Sequence, residues 1–120
     1  MGVTRIPISG SSFGEAVLVS TTATTGVIVH QASTGATNTM DEVWLTGCNS
    51  ASATHVVYLA VAGSTVPMAM PVDPLTSNSP VRVLAGDLIK SSTLAAKTIL
   101  AYGTTSNVIA LYGYVNRISS

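Results

Sequence analysis

Hydrophobic positions in this chain come in short runs separated by Gly, Pro, Ser and Asn, and the runs are rich in Val, Ile and Thr. Runs of this kind predict β-strands. The predicted strands are Val3–Ser9, Ala16–Ser20, Gly26–Gln31, Asp41–Cys48, His55–Ala62, Val81–Leu84, Asp87–Lys90, Lys97–Tyr102 and Asn107–Ile118. Eight or nine short strands at this spacing predict an all-β fold, a single-domain sandwich or barrel.

The segments between the strands carry turn and loop residues. Ser33–Asn38 is turn-like, Ala85-Gly86 is predicted to be a turn, and Gly103–Ser106 is predicted to be a hairpin loop joining the last two strands. Val66–Pro80 holds four of the five prolines, so it is either a loop or an interrupted edge strand. Ser91–Ala101 is the one helical competitor, and we expect at most a single turn there.

Two of the predicted strands, His55–Ala62 and Asn107–Ile118, are apolar on both faces. A sandwich strand with one wet face should alternate apolar with polar residues, because successive side chains point to opposite sides of the sheet. The chain is too short to supply extra layers, so we expect a neighbouring subunit to cover one face. Aromatic residues with a polar group suit such an interface. The candidates are Trp44, Tyr58, Tyr112 and Tyr114, for which a place in the core of the same chain is the alternative.

Composition supports an assembly component. Charged residues make up 8% of the chain, against roughly 25% in an ordinary soluble domain. A small free monomer normally needs charge to stay unassociated, so this surface is predicted to be covered by other chains. The five basic and five acidic residues balance and form no basic stretch, which argues against direct nucleic-acid binding.

The N-terminus has no apolar region of signal-peptide length, and no apolar run is long enough to span a bilayer. We therefore expect no membrane partner. Cys48 is the only cysteine, so an intrachain disulfide is impossible, which fits assembly in a reducing cytoplasm.

Candidate catalytic and metal-binding residues are sparse. Asp41 and Glu42 are adjacent in a strand, so they point to opposite faces and cannot act as a carboxylate pair. His30 and His55 lack a cluster of further ligands, which favours structural or surface roles. Cys48 has no flanking catalytic signature and is interpreted as a small apolar filler.

Nucleotide-binding motifs are also absent from the sequence: there is no P-loop and no G-x-G-x-x-G. Asp73 and Asp87 lie near turns but lack the spacing of a calcium site. We predict no enzymatic activity, no catalytic residue, no metal and no cofactor.

Three segments carry a family resemblance: the closing phrase Asn107–Ile118, the run Asp41–Leu45 with the later Asn49, and the Gly63…Pro67 turn. Together they resemble small structural proteins of tailed bacteriophages that are found near the major capsid protein. The resemblance extends loosely from about Gly26 to Ile118. It implies a capsid decoration, or cement, protein with a jelly-roll-like β-sandwich of about eight short antiparallel strands.

Such a protein would sit on the capsid surface of the virion, after assembly in the host cytoplasm. Its partners would be the major capsid protein, whose subunit joints it spans, and further copies of itself as a dimer or trimer. Many weak contacts repeated by symmetry give avidity without one strong site.

Two segments are contact candidates. The first is an N-terminal arm or edge strand, residues 1–13, which precedes the sandwich domain of residues 14–120. As an arm it would order itself against a neighbouring subunit. Its apolar anchors are Ile6, Ile8 and Phe13. The second is the Val66–Pro80 segment with Met68 and Met70, for which a plain surface loop is the alternative.

Other functions compete with the cement role. A tail or head-fibre component could bind a host glycan through Trp44 with Asn49, or through Tyr112 with Asn116. A connector or tail-tube subunit is a further alternative, and it would form rings.

Overall fold

The computed structural model describes residues 2–11, 14–32, 39–61, 66–74, 80–90 and 97–119. Nine strands and no helix occur in these ranges. The strands are β1 (Gly2–Pro7), β2 (Val17–Leu18), β3 (Val27–Gln31), β4 (Thr39–Asn49), β5 (His55–Val61), β6 (Met68–Val72), β7 (Val81–Lys90), β8 (Thr98–Gly103) and β9 (Ile109–Ser119). The all-β prediction is confirmed. Phe13, the Ser33–Asn38 turn and residues 91–96 of the helical alternative lie outside the described ranges.

The strands form two antiparallel sheets, which is the predicted sandwich architecture. One sheet has the order β1-β9-β4-β7, with β2 also paired to β9, and the other has the order β3-β8-β5-β6. The pairs β2–β9, β3–β8, β4–β7 and β5–β6 are nested, as in one long hairpin with its tip between β5 and β6. Rolling that hairpin up brings β4 beside β9 and β5 beside β8. This is the jelly-roll strand order.

The core lies between the sheets and is built from residues that alternate along each strand. The buried residues of β4 and β9 are odd-numbered, and Val43, Leu45, Leu111 and Val115 among them are fully buried. The facing sheet contributes Val57 and similar residues of β5 and β8. Burying each such side chain stabilises the fold by about 1.5–3 kcal/mol. The even-numbered residues of β4 and β9 consequently point away from the core.

The N-terminal segment is joined to the sandwich. β1 pairs with the C-terminal half of β9 as an edge strand. Ile8 is 1% exposed and belongs to the core. The Gly10 amide then donates to the Val29 carbonyl oxygen at 2.9 Å. A side chain at Gly10 would collide with the main chain of Ile28, so only glycine allows this approach.

The predicted hairpin between the last two strands is wrong. β8 belongs to the four-stranded sheet and β9 to the five-stranded sheet, so the connection passes from one sheet to the other. Gly103 is the last residue of β8 and pairs with Val57. The Asn107 amide, at a positive φ of 65°, donates to the Val19 carbonyl oxygen. The composition of Gly103–Ser106 predicted that the chain changes direction there. It did not indicate that the next strand, β9, joins the other sheet.

The predicted turn at Ala85-Gly86 is also wrong, because β7 runs through it as one strand. Val43 pairs with Asp87 and Trp44 with Ala85, which leaves Gly86 as the extra residue of a β-bulge. Its φ of +81° explains the glycine.

The proline-rich segment contains β6, which forms one edge of the four-stranded sheet. Of the two predicted alternatives, the interrupted edge strand is confirmed. Pro71 is tolerated there because an edge strand has one side without ladder hydrogen bonds.

Candidate functional site

The outward side of the five-stranded sheet gathers most of the aromatic residues singled out from the sequence. Trp44 on β4 lies directly opposite Tyr114 on β9, and Thr46 lies opposite Tyr112. We call this surface the aromatic face. Its residues are Val3, Arg5, Pro7, Leu18, Met40, Glu42, Trp44, Thr46, Cys48, Arg82, Ala85, Leu88, Ala110, Tyr112, Tyr114, Asn116 and Ile118.

A ladder of rings and cations crosses this face. The rings of Trp44 and Tyr114 are stacked, with centroids 6.3 Å apart and planes 15° apart. The Arg5 guanidinium lies 4.4 Å from the Tyr114 centroid, and that of Arg82 lies 5.5 Å from the Trp44 centroid. Since the strand order is β1-β9-β4-β7, each ring has a cation on one side and the other ring on the opposite side. Such cation–π contacts contribute about 0.5–1 kcal/mol each at exposed sites.

Hydrogen bonds to Glu42 and Asn116 hold the Trp44 ring and the Arg5 side chain of this ladder in place. The Trp44 indole Nε1 donates to Glu42 Oε1 at 2.6 Å, and Asn116 Nδ2 donates to the same oxygen at 3.1 Å. Arg5 Nε approaches Asn116 Oδ1 at 3.4 Å. The hydrogen bonds from Trp44 and Asn116 lower the pKa of Glu42 below its ordinary value. The carboxylate therefore stays ionised at neutral pH and holds the indole in one orientation.

Exposed apolar side chains surround the ladder. Five of the eight large hydrophobic residues that are exposed in the described chain lie on the aromatic face. They are Val3, Leu18, Met40, Leu88 and Tyr112. Val3 is 65% exposed and Leu88 is 55% exposed. Single exposed apolar residues are normal, but five of them on the outward side of one sheet, with the stacked rings of Trp44 and Tyr114 between them, make this surface a candidate interaction site.

The opposite surface of the sandwich is smaller and also apolar. Tyr58 and Tyr102 stack there, with centroids 4.9 Å apart, and Ile28 is 48% exposed. We call it the tyrosine face. Its residues are Ile28, Gln31, Val56, Tyr58, Ala60, Ala69, Pro71, Thr98, Leu100 and Tyr102. None of these described side chains is charged.

The candidates from the sequence are therefore divided among several places. Trp44, Tyr112 and Tyr114 share the aromatic face, while Tyr58 lies on the tyrosine face. Met68 is partly exposed on the edge strand β6.

The other apolar candidates contact the core. Met70 and Ile6 are half-buried and pack against it. Ile8 lies within it, so this side chain is not on the surface of the chain.

A buried polar cluster lies at the inner side of the same sheet, and sequence reasoning missed it. Asp41 is 1% exposed and accepts two hydrogen bonds from Arg117, from Nε and Nη2, at 2.8 Å each. His30 is fully buried, and its Nε2 lies 2.7 Å from Asp41 Oδ2. The Ser9 amide donates to His30 Nδ1 at 3.1 Å, so Nε2 carries the proton and donates to Asp41.

Burial alone would raise the pKa of Asp41, but the hydrogen bonds from Arg117 and His30 outweigh it and lower the pKa below its ordinary value. The carboxylate is ionised and charge-balanced by Arg117, whose pKa is raised in turn, chiefly by its hydrogen bond with Asp41. The parity of the strand could have revealed the cluster. Asp41 shares its face with Val43 and Leu45, and a buried carboxylate requires a partner.

Ser9 does not form a Ser–His–Asp triad with His30 and Asp41. Ser9 offers its main-chain amide to His30, while its hydroxyl oxygen accepts from the Gln31 amide at 2.6 Å. An open cleft of about 810 Å³ lies beside the buried His30 and is lined by Arg117 and Gln31 among others. Every buried side-chain nitrogen or oxygen among the described residues already has a hydrogen-bond partner. The cluster therefore joins β3, β4 and β9 to the N-terminal segment.

The proposed pairing of Trp44 with Asn49 at a glycan site is wrong, because the two residues point to opposite sides of β4. Asn49 is fully buried, and its Nδ2 donates to the carbonyl oxygens of Ala53 and Val72. Tyr112 and Asn116 do share the aromatic face.

Two further searches bear on candidate chemistry. Within the described ranges, no three His, Cys, Asp or Glu side chains are placed to hold a metal ion. The same ranges contain no helix long and apolar enough to cross a bilayer.

Comparison of the chain with protein-family models, with curated protein sequences and with solved structures found no match. The functional argument therefore rests on the residues and geometry described above.

Proposed function

We propose that this chain is a structural subunit of a virus particle, a bacteriophage capsid decoration protein that binds across major capsid protein subunits and stabilises the head shell. The observation that carries the proposal is that both sheets of the sandwich turn an apolar, charge-poor surface outward. The phage assignment itself comes from the resemblance of the closing phrase and the Asp41–Leu45 run to small phage structural proteins.

Two outward faces on opposite sides of one domain make the subunit bivalent. One face can contact another copy while the other contacts the shell, and such linked contacts gain avidity from effective concentration. Large apolar area with few charges limits the desolvation cost of forming these contacts. Shell pressure from packaged DNA acts on joints between subunits, and added buried area across a joint opposes its opening.

The N-terminal segment fits this function as part of the subunit surface. β1 extends the aromatic face by one strand through Val3, Arg5 and Pro7. It therefore contributes to contacts with neighbours without having to detach from the domain.

The test is the copy number of the chain in purified particles, measured against the major capsid protein by quantitative mass spectrometry. A ratio near one, or a simple fraction such as one half, supports a shell-wide decoration role. A few dozen copies or fewer would move the protein to the tail, the connector or a head fibre. Its absence from the particle would refute the proposal.

A matched comparison sharpens this test. Particles assembled without the chain should lose DNA at lower temperature than particles that carry it. Adding purified chain back should restore the wild-type release temperature. Equal release temperatures with and without the chain would remove the stabilising role even at high copy number.

A further inference from the structure

We infer that the aromatic face is a self-complementary interface, on which a second copy of this chain docks about a two-fold axis. The inference names the partner of one face in the proposed function and builds on that proposal.

The size of the aromatic face supports this occupant. Its central strands, β4 and β9, are 11 residues long each. At about 3.3 Å per residue and about 4.8 Å between strands, the 40 residues in the strands of this sheet present roughly 630 Å². Two such faces together bury somewhat more than about 1,200 Å², the lower end of the range for stable specific interfaces.

The tyrosine face does not reach that size. Its strands are five to seven residues long. The same arithmetic gives roughly 400 Å² per copy, and a pair of such faces buries about 800 Å² in total, the range of weak lattice contacts. Of the two faces, the aromatic face is the one that can hold two copies together without a third partner.

Side-chain chemistry points the same way. Trp, Tyr and Arg are the residues that most often dominate interface energies. Here Arg5 and Arg82 already lie against ring faces, and Glu42 already accepts two hydrogen bonds. Burying Arg5 and Glu42 under a second copy therefore leaves each of them with a polar partner, Asn116, whereas Arg82 requires an acceptor from the second copy. The ladder also holds the rings in place before association, which lowers the entropy lost on binding.

The zero net charge of the chain favours a second copy over a strongly charged partner. The formal net charge of the chain is zero at pH 7, so two copies experience no net repulsion. A strongly acidic or basic partner would gain little long-range attraction from such a chain. The outward faces of two sheets can pack at about 10 Å separation, as sheets do within a sandwich.

The experiment measures the mass of the purified chain by sedimentation equilibrium over a range of concentrations. The wild type should form dimers of the 12.2 kDa chain. Leu88→Glu places a charge on the aromatic face, and Ile28→Glu places the same charge on the tyrosine face. The two side chains are similarly exposed, at 55% and 48%, so the second variant is a matched control.

Leu88→Glu should raise the dimer dissociation constant by about 100-fold or more. A two-fold interface contains the substituted residue twice, and burying an unpaired charge costs at least about tenfold in affinity per copy. Ile28→Glu should leave it unchanged. Tyr112→Glu, at the other end of the aromatic face, should act like Leu88→Glu and guards against a local folding defect. Circular dichroism and Trp44 fluorescence report whether each variant is folded.

A wild type that stays monomeric at about 100 µM, far above the micromolar range of ordinary specific pairs, would overturn the inference. So would a trimer, or dissociation by Ile28→Glu and not by Leu88→Glu. These outcomes are separate from the proposed function. A monomer found at high copy number in particles would remove the dimer and leave the capsid role standing.

Discussion

Replacing Asp41 by Asn tests whether the buried cluster holds the five-stranded sheet to β3 and the N-terminal segment. Three donor groups reach the carboxylate: Arg117 through Nε and Nη2, and His30 through Nε2. An amide offers one acceptor oxygen and adds two donor hydrogens. At least one donor must therefore face another donor, and His30 cannot escape by changing tautomer because the Ser9 amide already donates to Nδ1.

The magnitude follows from burial. Removing one partner of a buried ion pair costs about 3–5 kcal/mol. Arg117 is 30% exposed and can turn partly toward water, which reduces the cost. We expect Asp41→Asn to lower the free energy of unfolding by about 2–4 kcal/mol. For a domain of this size that is a drop of roughly 8–16 °C in Tm.

The assay is urea unfolding followed by circular dichroism, with Glu42→Gln as the matched control. Glu42 is the next residue of the same strand, but it lies on the aromatic face, where a glutamine oxygen can still accept from Trp44. We expect the control to cost less than about 0.5 kcal/mol. A loss below about 1 kcal/mol for Asp41→Asn, or equal losses for both variants, would refute the reasoning.

The same variant should change the response to acid. The pKa of Asp41 is lowered in the folded chain by Arg117 and His30, so its contribution is present above its ordinary pKa of about 4. That contribution is lost as the pH falls through the lowered folded value. The wild type should therefore lose stability between about pH 5 and pH 2 more steeply than Asp41→Asn. Parallel stability curves over this range would contradict the assignment.

Three further predictions use the same unfolding assay. Gly113→Ala should destabilise the chain by more than about 2 kcal/mol, because a Cβ there would collide with the Trp44 carbonyl oxygen. The control Gly47→Ala should cost less, since the atom nearest to its new Cβ is a side-chain methyl group of Val83. Asn49→Ala should cost about 2 kcal/mol by leaving the buried Val72 carbonyl oxygen and the part-buried Ala53 carbonyl oxygen without their donor. Gly86→Ala should cost about 1 kcal/mol through its positive φ and should shift Trp44 fluorescence, because the new Cβ would lie 3.1 Å from the indole ring.

Sequence reasoning located the strands well because each strand has its own local signal. The period of two residues placed Asp41 and Glu42 on opposite faces of their strand, as they are in the structure. It also placed Tyr112 and Tyr114 on one face of Asn107–Ile118, and that face is the outward side of the sheet. These are properties of single strands, and a period of two residues is enough to determine them.

Pairing between strands was harder to predict because it depends on long-range geometry. Gly103–Ser106 has the composition of a hairpin loop, yet it connects the two sheets. Ala85-Gly86 has the composition of a turn, yet Gly86 is the extra residue of a bulge within β7. In both places local residues allow a change of direction, and packing of the core decides how it is used.

The partnership of Asp41, His30 and Arg117 is non-local in the same sense, since β3, β4 and β9 meet only in the folded chain. The aromatic ladder is non-local as well, because Arg5 and Arg82 come from the two edge strands of one sheet. The two polar systems lie on opposite sides of the five-stranded sheet, because successive residues of a strand point to opposite faces. Inward-pointing charges fix how the strands and the N-terminal segment join, and outward-pointing charges hold two aromatic rings in place. Five of the ten charged residues of the chain therefore belong to these two systems: Arg5, Asp41, Glu42, Arg82 and Arg117.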